Sequence, residues 1–137
     1  MSTTDAANIT EPELRLVLEA ANSAVYEKGS LAGLALAGRD LSGLDLSGVD
    51  LSGADLRSAD ISNTRLRGAN LSGALLSDAN LTGCDLSMAN LAGANLEHAR
   101  VRSAGLGHAA LTRAAAFGAD FSGSTLTGAD LRGTDFG

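Results

Sequence analysis

An all-β solenoid is the fold class that this 137-residue sequence predicts, and three observations predict it. From Leu31 to Phe136 an apolar residue returns at every fifth position without insertion or deletion; of twenty-two such centres seventeen are Leu, the others being Ile61, Val101, Ala116, Phe121 and Phe136. The residue two places before each centre is small, Ala in thirteen units and Gly, Cys, Ser or Thr in five more. The two residues after it are typically Ser-Gly or Thr-Gly, with Gly in the second place at thirteen units from Gly33 to Gly133.

Each column has a physical meaning. On an α-helix a step of five residues turns the side chain by about 140°, so the leucines would spiral over every face and form no stripe. On a strand, residues two apart face the same way, so the central and small columns both point inward and the residue between them points out. That outward residue is Asp or Asn in thirteen units. The Ser-Gly and Thr-Gly pairs favour a turn, because Gly accepts backbone angles that other residues resist. Each unit is a very short strand and a corner. One unit cannot bury its own apolar face, so a tandem array must wind into a solenoid.

The number of units per coil does not follow from the period. The run A-N-L-S-G, A-N-L-T-G, C-D-L-S-M, A-N-L-A-G, A-N-L-E-H from Ala69 onward resembles the bacterial pentapeptide-repeat family, with its A-(D/N)-L-X-X signature, and the resemblance covers residues 31–137. It implies a right-handed quadrilateral β-helix with four units to a square coil. On that basis the array makes about five and a half coils, and at ~4.8 Å per coil a rod ~25 Å long. One large side chain projecting from each wall leaves room only for methyl-sized neighbours, which accounts for the small column.

Taken in order, the chain divides into residues 1–10, 11–29 and 30–137. Met1 to Thr10 has neither a basic start nor an apolar run, so neither a signal peptide nor a membrane span is expected, and these residues are expected to be disordered. One Cys, no Trp and a formal charge of −6 fit a soluble domain of a reducing, cytoplasmic compartment. Thr10-Glu11-Pro12-Glu13 has capping-box spacing and Lys28-Gly29 a basic last turn with a Gly stop, predicting an amphipathic helix over 11–29. Leu14, Val17, Leu18, Ala21, Ala24 and Val25 share its apolar face. Its expected seat is the open end of the rod, where the first coil carries the large inward residues Leu34, Arg39, Leu44 and Val49. Arg39 is costly if buried alone and is expected to meet Glu19 or Glu27.

Stacking residues twenty apart builds the outer surface. Asp40, Asp45, Asp50, Asp55 and Asp60 form an acidic collar, chiefly a preference of the repeat for local backbone hydrogen bonds. One side carries Asp55, Leu75, Asn95 and Ala115 beside Arg57, Ser77, Glu97 and Phe117. There Leu75 and Phe117 break the polar rule, with His98 close by. A register slip at Ala116-Phe117 would instead turn Phe117 inward. Arg65, Arg67, Arg100 and Arg102 are interleaved with Asp60, Asn80, Asp85 and Asp120, so pairing across coils is expected, and no nucleic-acid footprint is. Leu126, Leu131 and Phe136 lie near the C-terminal end and are expected to support an end-to-end self-contact or a docked partner.

Chemistry has little to work with. Cys84 occupies a small inward slot and reads as core. His98 and His108 are two units apart, hence on opposite sides, so neither metal nor cofactor is expected. Ser sits at corners with no base beside it, so no catalytic residue is assigned. The expected function is a non-catalytic scaffold presenting a rigid rod to a protein partner, with Leu75, Glu97, His98, Phe117, Leu126, Leu131 and Phe136 as candidate interface. The family resemblance implies an alternative, since some members imitate duplex DNA and bind DNA gyrase, giving quinolone resistance or protecting a toxin producer. From residue 31 onward the chain has eleven acidic and eight basic residues, a low density for such mimicry.

Overall fold

The computed structural model describes residues 30–137. The expected cap helix with Leu14, Leu18 and Val25, the expected disordered start, and Glu19 and Glu27 lie outside the described residues.

Every outward residue from Ser30 to Ala115 pairs in parallel with the residue twenty positions on, from Ser30 with Asp50 to Ala115 with Asp135. Twenty residues are four units, so the coil is quadrilateral. We number the four walls from the units centred on Leu31, Leu36, Leu41 and Leu46. No wall is longer than a single bridging residue, because the next corner intervenes before a second can pair.

The hydrogen-bond pattern repeats at each wall. The central amide donates to the outward carbonyl of the following coil, as Leu56 N–H to the Leu75 carbonyl at 2.7 Å; the outward amide donates back, as Leu75 N–H to the Ala54 carbonyl at 2.9 Å. The second corner residue adds a rung, as Gly53 N–H to the Ser72 carbonyl at 2.9 Å. Each corner closes on itself, as Ala54 N–H to the Leu51 carbonyl at 3.1 Å. With a left-handed third residue, φ +64° at Gly53, this is a type II turn.

The inward columns form one core. All central residues from Leu31 to Ala116 are buried, as are the alanines of the small column from Ala54 to Ala114. In the first coil Leu34, Arg39 and Leu44 are half-buried and Val49 is buried. Ala116 faces inward and Phe117 is exposed, so the period runs through this pair without a slip.

Polar residues in the small column are accommodated by one device. The Thr64 hydroxyl donates to the Leu41 carbonyl at 2.8 Å, the Cys84 thiol to the Ile61 carbonyl at 2.8 Å, and the Thr134 hydroxyl to the Leu111 carbonyl at 2.6 Å. Ser124 donates likewise to Val101. Each reaches back to the central residue of the previous coil. No buried side-chain nitrogen or oxygen among the described residues lacks a partner.

Candidate interaction surface

The outward Asp and Asn residues serve the corners first. In unit after unit Oδ1 accepts the amide two residues on, as Asp50 from Ser52 at 2.9 Å and Asn70 from Ser72 at 3.0 Å. The Ser hydroxyl donates to the same oxygen in Asp40, Asp45, Asp50, Asp60 and Asp85. The collar is therefore local architecture. These bonds hold the carboxyls of Asp50 and Asp85 below the usual range, chiefly through the hydroxyls of Ser52 and Ser87. Asp120 falls to about 2 under the Ser122 hydroxyl and amide and the Arg102 guanidinium.

Of the four interleaved arginines, Arg102 makes the expected pair across coils, meeting Asp120 at 2.5 Å. Arg67 reaches instead toward the Met88 sulfur at 3.4 Å. Arg57 and Arg132 bind the carboxylate of their own unit, Asp55 at 2.7 Å and Asp130 at 2.6 Å. Burial pushes the Cys84 thiol up to about 12, which removes it as a nucleophile. Among the described residues no group of three or more His, Cys, Asp or Glu is placed to hold a metal.

Charge is unevenly distributed once each outward residue is counted with the two corner residues that follow it. The first wall sets Asp50 and Asp130 against Arg113 and Arg132, and the fourth sets Asp45 and Asp85 against Arg65 and Arg67. The third sets Asp40, Asp60 and Asp120 against Arg100, Arg102 and the inward Arg39. The second wall has Asp55, Asp78, Glu97 and Asp135 against Arg57 alone. All of the net negative charge of the array falls there.

The same wall carries exposed apolar surface. Leu75 is 37 % exposed, Phe117 54 % and Phe136 48 %; beyond it Met88 is 56 % exposed and Leu131 36 %. His98 and Phe117 meet edge to face with ring centroids 5.6 Å apart, and Glu97 lies half-buried beside them. Leu75 stands two coils below Ala115, about 10 Å along the axis. At the C-terminal end Phe121 and Phe136 pack edge to face at 5.9 Å, while Leu126 is half-buried against the core. The structure thus gathers Glu97, His98 and Phe117 into one corner, sets Leu75 apart on the same wall, and leaves Leu126, Leu131 and Phe136 to the end of the rod.

Sequence reasoning finds the corners but not what fills them where Gly is absent. Eight non-glycine residues hold the left-handed turn position, among them Met88, His98, His108 and Arg113. Several lie over a glycine one coil on: a Cβ at Gly118 would stand 2.8 Å from His98 Cε1, and one at Gly128 2.6 Å from His108 Cε1. The signal was a bulky corner residue followed twenty positions later by Gly.

Comparison with known proteins decides the family. The model for pentapeptide repeats matches eight copies over residues 36–73, 74–114 and 104–137. The chain belongs to the pentapeptide-repeat family. A pentapeptide-repeat protein from the Arabidopsis thaliana thylakoid lumen is 40 % identical, with TM-score 0.72, over 76 % of this chain and 72 % of that one. Rfr23, from the cyanobacterium Cyanothece 51142, is 35 % identical, with TM-score 0.67, over 69 % and 65 %. QnrB1, a plasmid-mediated fluoroquinolone resistance protein, is 25 % identical, with TM-score 0.57, over 69 % and 58 %. The chain spans less than two thirds of the length of the latter two. Among curated proteins none matches. Solved pentapeptide-repeat proteins adopt a right-handed β-helix, and members are generally structural or interaction modules.

Proposed function

We propose that this chain is a non-catalytic protein-binding module of the cytoplasm, a right-handed rod that offers its second wall and C-terminal end to another protein. One observation carries the reading. Large apolar side chains are exposed at Leu75, Phe117 and Phe136 on a wall whose outward residues from Asp55 to Asp135 are hydrogen-bonded coil to coil, so the surface is held in place and loses little entropy on binding. The lone buried thiol supports a reducing compartment. Affinity capture from the native cell extract tests it, using the wild type, Leu75→Ser with Phe117→Ser, and Leu131→Ser with Phe136→Ser. A stoichiometric protein partner that either pair of substitutions releases supports the proposal. Equal capture by all three proteins overturns it.

Likeness to a fluoroquinolone resistance protein favours a second reading, a gyrase-directed DNA mimic. Duplex mimicry calls for negative potential along the rod, whereas the first, third and fourth walls are neutral and the negative second wall is interrupted by Leu75 and Phe117. A supercoiling assay separates the two. Inhibition at micromolar rod supports mimicry, and no effect removes it.

A further inference from the structure

We propose that the corner between the second and third walls, built on Asp78, Glu97, His98 and Phe117, docks an extended protein segment carrying Arg or Lys beside a bulky apolar residue. The inference rests on the protein-binding reading above and names the partner's chemistry.

The four residues occupy consecutive rungs. Asp78 N–H donates to the Glu97 carbonyl at 3.0 Å, and His98 N–H to the Phe117 carbonyl at 2.9 Å, so two acids and an aromatic ring climb one edge at ~4.8 Å per coil. The backbone is fixed at each rung, and Phe117 is further held by the His98 ring. Neither Asp78 nor Glu97 is ion-paired among the described residues, and Arg57, two coils below Glu97 at the same corner, is held by Asp55. Arg100 stands on the neighbouring wall.

A purely apolar partner covering Phe117 would strip water from Glu97 and Asp78 without replacing it, a cost of the kind that excludes wrong partners. A nucleic acid would meet like charge. A cationic segment satisfies both acids, and a guanidinium also gains the face of Phe117. Side chains on one face of an extended strand recur about 6.6–6.8 Å apart, so a cation and an apolar residue at alternate positions span the step from the acid rungs to Phe117.

The probe is a short amidated peptide repeating Arg-Ser-Leu-Ser, which sets Arg and Leu on one face of an extended strand, titrated into the full chain and followed by amide chemical shifts; the same peptide with Gly in place of Leu (Arg-Gly) and with Glu in place of Arg (Glu-Leu) are the controls. The expected shifts concentrate at Ser77–Asp78, Glu97–His98 and Phe117–Gly118. Asp78→Asn with Glu97→Gln is expected to weaken binding about fivefold or more, and to flatten its dependence on salt. Phe117→Ser is expected to reduce the Arg-Leu peptide to the level of Arg-Gly. Unperturbed shifts elsewhere in each variant report an intact rod. Absence of binding, shifts spread evenly over the third-wall acids, or affinity indifferent to these variants overturns the inference. A captured native partner that ignores the Asp78 and Glu97 substitutions also overturns it while leaving the protein-binding reading standing; peptide binding at this corner with no native partner has the opposite consequence.

Discussion

Gly118 is the position where a single methyl should tell most about how the coils are locked together. Its φ is +71°, and the space a Cβ would need is taken by His98 of the preceding coil. Gly53 provides the control, with φ +64° and nothing within 4 Å of a built Cβ. A left-handed non-glycine residue costs about 1–2 kcal/mol, and the stiffer unfolded chain returns about 0.4–1 kcal/mol, so Gly53→Ala should destabilise by about 1 kcal/mol. Gly118→Ala carries the same cost and must also displace the His98 ring from its edge-to-face contact with Phe117, a loss of about 0.5–1.5 kcal/mol. The expected total is about 1.5–2.5 kcal/mol. With His98→Ala in the background the excess should vanish, giving a coupling energy near 1 kcal/mol in a double-mutant cycle read by urea denaturation. Equal costs at Gly53 and Gly118, or an excess at Gly118 that survives removal of the imidazole, would refute the reasoning.

Other consequences follow from the core and the corner bonds. Leu81→Ala, in the middle of the central column and fully buried, should cost about 2–5 kcal/mol of unfolding free energy by urea denaturation, whereas Leu131→Ala, partly exposed at the end, should cost about 1 kcal/mol or less. Asp50, Asp55, Asp85, Asp120 and Asp130 all have folded-state carboxyls depressed below 3.8, so their contribution is complete above that value and disappears as pH falls through the folded values, about 2 for Asp120. The urea midpoint should be flat from pH 6 to 5 and drop below pH 4; a midpoint unchanged down to about pH 2 would contradict the assignment. Cys84, buried and titrating at about 12, should resist a thiol reagent in the native protein and react on unfolding, and Cys84→Ser should keep the bond to the Ile61 carbonyl and fold normally.

The sequence was transparent wherever a feature repeats within one unit. Leu at the centre, Ala two before it and Asp or Asn between them each report a local cause, and the structure places them as buried core, buried neighbour and corner acceptor. Ala116 and Phe117 show how firm the period is, since a bulky residue one step away does not shift the register. The size of the coil was opaque to periodicity, because a five-residue unit specifies a corner but not how many corners close a turn. Contacts between units twenty apart were equally hidden. Nothing local in Gly118 distinguishes it from Gly53, and the imidazole that separates them belongs to another coil. The same holds for the second wall, whose excess charge appears only when Asp55, Asp78, Glu97 and Asp135 are stacked in register. Met88 was overlooked because a large exposed side chain at a glycine corner has no counterpart in the repeat pattern.

The claim on which the functional account turns is that one wall, not the whole circumference, meets the partner. Oxidative footprinting of the rod alone and in its captured complex measures this directly. Protection confined to Leu75, His98, Phe117 and Phe136, with Met88 on the far corner labelled equally in both states, is the predicted result. Protection of Met88 and His108 with Phe117 still fully reactive would contradict it.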